Sequence, residues 1–307
     1  MPKKLTQEQL SKLRGDYMAK REALLQKKVS GLAVKLFDKV FNKYLLELEK
    51  SDGRIMASDS NISLVKGLDA IYDNFIRTYN IPVVRVFVSD VQALVPLNER
   101  YFKGLTDKDI VARTEKIKSI VDRRLGVENG KPVKGGFTEK FINDKTVLRK
   151  IKKVTMQAIT KKSGFQEFRV ELKKAIQGVP GEKLSGGLQQ YYRNYAYSVY
   201  SQVDNLVAEK YALDLGLRYW YWTGGIIPTS REICRRCNGK IIDSQKVESL
   251  TYGELKDICK PGLNEDWQMN RDLGQLQNGC RHRKNYILDS VANKRRGDWL
   301  ELSTILK

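Results

Sequence analysis

Histidine is almost missing from this chain of 307 residues: His282 is the only one. Any Ser-His-Asp, Cys-His or two-histidine metal mechanism has to use that one side chain or fail. Cysteine is sparse too, with four residues, too few for a disulfide scaffold at this length. No segment approaches the roughly 20 consecutive apolar residues that a membrane span needs. The opening Met1-Pro-Lys-Lys-Leu-Thr-Gln7 lacks the apolar run of a signal peptide. These absences predict a soluble protein made in a cytoplasm. An acidic surplus is lacking as well: 56 Lys+Arg stand against 36 Asp+Glu, so the formal charge is 56 − 36 = +20. Such an excess must be solvated or met by an anionic partner. Nucleic acid is the first candidate, an acidic membrane surface or acidic protein the second.

Most of the chain has a helical texture. Thr6-x-x-Gln9 is a capping signal, followed by Ala33, Phe37, Phe41, Tyr44 and Leu48 at three-and-four spacing. Gly31 is a candidate break, and Ser51-Asp52-Gly53 a turn. Leu64, Leu68, Ile71 and Phe75 mark a second helix running to Asn80-Ile81-Pro82. The run 83–88 is β-branched enough for a strand but flows on without turn residues, so it is assigned to helix. Thr106 to Asp109 cap a helix to about Leu125, and the glycines from Gly126 to Gly136 form a loop. Helix resumes from Thr138 to about Gln177 with a break at Ser163-Gly164, and again from about Leu188 to Leu215, stopped by Gly216. Residues 218–223 alternate like a strand. The expected fold is mainly α: an elongated multi-helix body with a small α+β, Cys/His-containing C-terminal module. The boundaries divide residues 1–125, 138–217 and 218–307.

The sharpest chemical constellation is Cys234-Arg-Arg-Cys237, then Cys280-Arg281-His282. Two thiolates separated by two residues can grip one tetrahedral ion from a tight turn, which Asn238-Gly239 supplies. Cys280 and His282 complete a Cys3His set for zinc, with Cys259 in reserve. The alternative is a set of small buried residues, or a redox-labile pair, in a module held by ordinary packing. No catalytic residue emerges. Gly126 to Pro132 has the outline of a phosphate loop but is one residue short and puts proline where Ser/Thr should hold magnesium. Glu254-Leu-Lys256 has the acid-x-lysine shape of some nucleases without an upstream acidic partner.

The stretch from 145 to 174 is strongly basic. Lys145, Arg149, Lys152 and Lys153 share one helix face, while Val147, Ile151, Val154 and Ala158 line another. Lys161, Lys162, Arg169, Lys173 and Lys174 extend the charge. Either this is the solvated side of an amphipathic helix or it contacts phosphates, and the chain-wide charge favours sequence-nonspecific contact with double-stranded DNA. The tyrosines at 191, 192, 195, 197 and 200 could stack on bases, but Tyr192, Tyr195, Val199, Val203 and Leu206 follow helical spacing and read as core.

The C-terminal third carries a resemblance. It runs from Leu217-Arg-Tyr-Trp-Tyr-Trp-Thr223 through Ser230-Arg231-Glu-Ile-Cys234-Arg-Arg-Cys237-Asn-Gly239-Lys240 to Asn278-Gly-Cys280-Arg281-His282. In order and spacing, residues 164 to 285 resemble the head-morphogenesis or minor capsid proteins of tailed bacteriophages, the family of phage Mu protein F. Two departures stand out: Gln277-Asn278-Gly279 replaces a histidine-proline pair, and Ser230 stands where the family has an aspartate. The resemblance implies a non-enzymatic virion protein associated with the portal vertex and packaged DNA. Its implied partners are the portal protein and other capsid proteins, and its implied places are the phage head near the portal and, during assembly, the bacterial host cytoplasm. The runner-up is a Cys/His-module DNA-binding or DNA-processing protein, such as a recombination factor or zinc-knuckle nuclease. A membrane-surface protein is the third reading, but no aromatic-basic amphipathic helix argues for it, so no membrane partner is expected.

Overall fold

The structure, a computed structural model, describes residues 5–106, 109–179, 186–225, 235, 238–248 and 282–299, with the side chains of 193–198 outside the description. It is mainly helical, as expected, with a few small sheets. The helices are α1 (Gln7–Phe37), α2 (Asp59–Phe75), α3 (Ile81–Gln92), α4 (Leu94–Lys103), α5 (Val111–Leu125), α6 (Phe137–Asn143), α7 (Thr146–Thr160), α8 (Phe165–Gln177), α9 (Gly187–Leu215), α10 (Ser244–Glu248) and α11 (Asp289–Lys294). Single π-helical turns sit at Asp38–Asn42 and Ile76–Asn80.

Local chemistry accounts for several of the element ends. Thr6 and Gln9 form a reciprocal cap, with the Thr6 N–H donating to Gln9 Oε1 at 2.9 Å and the Gln9 N–H donating to Thr6 Oγ1 at 3.2 Å. Gly31 does not break α1, because the loss of about 1 kcal/mol for a mid-helix glycine is outweighed by burial of Val29, Leu32, Ala33 and Leu36 around it. Nor does the helical path end at Pro82. Proline cannot donate to the carbonyl four residues back, and the π-turn at Ile76–Asn80 takes up the mismatch, so α3 continues directly. Residues 83–88 are helical, as assigned. Gly216, at φ 68°, ends α9: its N–H donates to the Leu213 carbonyl and that of Leu217 to Ala212.

Two hairpins have Asx-Gly tips in the left-handed region. Asp52-Gly53 joins β1 (Lys50–Ser51) to β2 (Arg54–Ile55), and Asn129-Gly130 joins β3 (Val127–Glu128) to β4 (Lys131–Pro132). The second replaces the plain loop expected at 126–136. The helix expected from Thr138 to Gln177 is broken once more than foreseen, at Asp144, whose carboxylate accepts from the Thr146 N–H and starts α7.

The chain divides into two units that are discontinuous in sequence. Residues 1–19, 90–123 and 197–307 form the first, residues 20–89 and 124–196 the second. The first contains a three-stranded antiparallel sheet in the order β6 (Ile241–Asp243), β5 (Tyr219–Thr223), β7 (Arg283–Ile287). Alternation along β5 sends Tyr219 and Tyr221 toward Ile241, Ile287, Ala292 and Trp299, and Trp220 and Trp222 to the other face, where Trp220 meets Tyr286. Asn205 of α9 is tied to β7, donating to the His282 carbonyl and accepting from the Lys284 N–H.

The second unit is a helical layer in which α7 packs on α2 and α8. Val147, Leu148, Ile151, Thr155, Ala158 and Ile159 face its core. Val154, expected in that stripe, is half-buried instead. Thr155 takes the interior place because its hydroxyl donates to the Ile151 carbonyl and so satisfies itself within the helix. Phe87, Phe141 and Tyr192 form the aromatic centre beside them. The continuous helical run Asp59–Lys103 is long and apolar enough, by length and composition, to cross a membrane. In the fold it supplies core side chains, including Leu68, Phe75, Val84, Phe87, Val91 and Leu94.

Candidate nucleic-acid interface and metal centre

The charge is unevenly shared. The second unit holds 28 Lys+Arg against 14 Asp+Glu, a net +14, and the first holds 28 against 22, a net +6. Within the second unit α7 contains no acidic residue along its whole length. Its solvent side presents Thr146, Arg149, Lys150, Lys153, Met156, Gln157 and Thr160. The position between Arg149 and Ile151 was not among the sequence candidates, yet Lys150 is exposed on the same helix. At about 100° per residue Lys150 falls nearer to Val154 than to Lys145, Arg149 or Lys152, so the basic stripe read from sequence leaves it out.

The four α7 cations picked from sequence are not equivalent. Lys145 lies 3.3 Å from Asp73, and Lys152 pairs with Asp69, both acids on α2. The Lys152 ammonium beside it holds the Asp69 carboxyl below the usual carboxylate range. Among the described residues Arg149 reaches only Thr146 Oγ1, at 3.1 Å, and Lys153 is exposed. The face open to an anion is therefore Arg149, Lys150 and Lys153, with Lys145 and Lys152 along its edge.

Lys161 and Lys162 form the α7–α8 turn. The Lys162 N–H donates to Ile159 and the Ser163 N–H to Ala158, a closure that places Lys162 at φ 50°. This turn abuts the first hairpin: the Ile55 N–H donates to Ser163 and the Phe165 N–H to Gly53. Lys173 and Lys174 are exposed on α8, among Glu167 and Glu171. The site is thus a set of cations of unequal freedom. Tyr192 and Tyr200 are core, and Tyr191 donates to the Phe141 carbonyl. The side chains of Tyr195 and Tyr197 lie outside the described residues.

Of the zinc candidates, Cys234, Cys237 and Cys280 lie outside the described residues, as do Cys259 and Glu254-Leu-Lys256. Among the described residues no three His, Cys, Asp or Glu side chains gather into a metal-holding group. His282 is described. It is buried, its ring nearly parallel to Trp222 at 5.8 Å between centroids. Gly224 lies so close to it that a Cβ there would come within 2.5 Å of the imidazole. The Gly224 N–H donates to Asn238 Oδ1 at 3.1 Å, and the Gly239 N–H to the Trp222 carbonyl. One end of the sheet thus brings together His282, Gly224 and Asn238. The phosphate-loop outline at 126–132 is the second hairpin.

Compared with protein families, with characterised proteins and with solved structures, the chain has no match.

Proposed function

We propose that this protein is a non-enzymatic structural component of a tailed-phage head, a minor capsid protein that meets the portal vertex and the packaged DNA. The resemblance over residues 164 to 285 supplies the particle. The observation that carries the DNA contact is the acid-free solvent side of α7, in the unit holding +14 of the charge. Phosphates met by Arg149, Lys150 and Lys153 release counterions. Duplex affinity should then fall with salt at a log-log slope near −0.9 per phosphate neutralised, with weak sequence preference.

The C-terminal segment is proposed as a Cys/His module in which Cys234, Cys237, Cys280 and His282 hold one zinc. Support comes from the sheet end, where Asn238 and His282 both meet Gly224. In sequence these two stand one residue after Cys237 and two after Cys280. Zinc bound there would fold the module and leave no histidine for base catalysis.

Mass spectrometry of particles from the phage or prophage that carries the gene should find the protein in low copy number beside the portal protein. Absence from particles, with free protein in the cell, would point to a DNA-processing factor. Elemental analysis should give about one zinc per chain, and metal-free protein that stays folded under strong chelation would remove the zinc set.

A further inference from the structure

The second unit carries another cationic cluster, away from α7 in sequence and built around an aromatic ring. Tyr79 stands in the π-turn Ile76–Asn80, at the end of a row that begins in the core: Tyr72 and Phe75 are buried, and the Phe75 and Tyr79 rings are 5.8 Å apart. Tyr79 itself is half-buried. Lys35, at the end of α1, places Nζ 4.9 Å from the centroid of this ring, and Lys39, in the other π-turn, places Nζ 5.3 Å from it. Both π-turns thus converge on one phenol, and the two ammonium groups are at most 10.2 Å apart, the sum of these two distances. Among the described residues neither lysine pairs with a carboxylate. The nearby Asp38 is engaged by Asn42 Nδ2 at 3.0 Å and Lys43 at 3.7 Å.

Two like charges held over one ring repel each other, and the ring returns only the small attraction of an exposed cation–π contact, about 0.5–1 kcal/mol each. Lysine stems are long and flexible, so both ammonium groups can swing to phosphates and leave the ring face to a planar group. A duplex hides its base faces in the stack. An unpaired strand offers a base face and two flanking phosphates at the same time.

We propose that Lys35, Lys39 and Tyr79 form a contact for single-stranded nucleic acid, in which Tyr79 stacks on one base and the two lysines take the adjoining phosphates. It is separate from the duplex contact assigned to α7. It rests on the second unit being the polyanion-facing part, but on different residues.

The test uses the full chain with a fluorescein-labelled oligo(dT) of 20 nucleotides and, separately, a 20-base-pair duplex. Tyr79→Leu should weaken oligo(dT) binding by roughly five- to hundred-fold, the range of one lost stacking contact, while Tyr79→Phe keeps it. Lys35→Gln/Lys39→Gln should lower the single-strand salt slope by about 1.4, at ~0.7 per phosphate. Neither change should move duplex binding, which should respond to Arg149→Gln/Lys150→Gln/Lys153→Gln instead. Circular dichroism of each variant checks the fold. The proposal is overturned if the parent does not bind oligo(dT), or if Tyr79→Leu and Lys35→Gln/Lys39→Gln bind it like the parent. It is also overturned if Tyr79→Leu and Tyr79→Phe lose equally. An acidic peptide that displaces oligo(dT) from the parent and binds Tyr79→Leu unchanged would assign the lysines to a protein partner.

Discussion

Removing the Asp204 carboxylate should destabilise the first unit more than any surface change. Arg14 of α1 and Asp204 of α9 have fully buried side chains. They are joined twice, Nε to Oδ1 at 3.1 Å and Nη2 to Oδ2 at 2.7 Å. Asn98 Nδ2 donates to the same Oδ1 at 2.9 Å, and Arg283 lies close enough to feel both charges. Asp204→Ala therefore leaves one guanidinium buried without its partner and a second deprived of a nearby anion. Breaking a buried pair from one side costs about 3–5 kcal/mol, a large part of the roughly 5–15 kcal/mol that holds a typical domain. At about 2–4 °C per kcal/mol, the melting temperature should fall by ~6–20 °C. Replacing both partners, Arg14→Met/Asp204→Leu, removes the charges together and should cost clearly less than the two single changes added. Urea unfolding followed by circular dichroism, arranged as a double-mutant cycle, reads this directly. Single changes that cost under about 1 kcal/mol, or a double change equal to their sum, would refute the reasoning.

Lys162→Gly should raise stability by about 0.5–1 kcal/mol, since glycine takes the left-handed turn at 162 without a Cβ penalty; a lower urea midpoint would contradict it. Asp69→Asn/Asp73→Asn frees Lys145 and Lys152, so the duplex salt slope measured by fluorescence anisotropy should steepen by up to about 1.8, and an unchanged slope would show that these lysines do not meet phosphate. Burial pushes the phenols of Tyr101 and Tyr211 up to about 12. Their folded values lie above the ordinary 10, so the stability they contribute is whole below pH 10 and drains away between pH 10 and 12. Urea midpoints taken across that window should drop, and less so in Tyr101→Phe/Tyr211→Phe; a flat profile would argue against it.

What could be read from the residues was whatever is decided within one turn of chain. The Thr6–Gln9 cap, the Gly216 stop, the Ser163-Gly164 break and the 219–223 strand each depend on neighbours in sequence, and each is where it was expected. The misses have other causes. Gly31 carries a local penalty, but the buried row around it decides. Asn129-Gly130 is a hairpin signal, hidden by the short, mostly exposed strands of two residues on either side. The ion pairs of Lys145 and Lys152 join residues 72 and 83 positions apart, a proximity that exists only once α2 and α7 have packed. The uneven sharing of charge has the same origin, because the units interleave five stretches of sequence and composition along the chain averages them.

That division also separates two uses of positive charge. In the first unit arginines are engaged through their planar forks: Arg14 with Asp204, Arg218 with Asp243, Arg295 with Asp298, and Arg283 with the Ser11 carbonyl. In the second unit the surplus is largely lysine on solvent-facing turns, such as Lys150, Lys153, Lys161, Lys162, Lys173 and Lys174. Folding should then depend on the arginines and polyanion binding mainly on the lysines. Mild acetylation discriminates between them, since it neutralises ammonium groups and leaves guanidinium groups charged. The acetylated protein should keep the circular dichroism and melting transition of the parent while its salt-dependent binding of duplex and oligo(dT) largely disappears. Lys284, which lies 4.7 Å over the Trp220 ring and is mostly buried, should be the last lysine to react, as peptide mapping would show. Binding that survives complete modification of the exposed lysines would transfer the contact to the arginines, and unfolding at low modification would show that the lysines are structural after all.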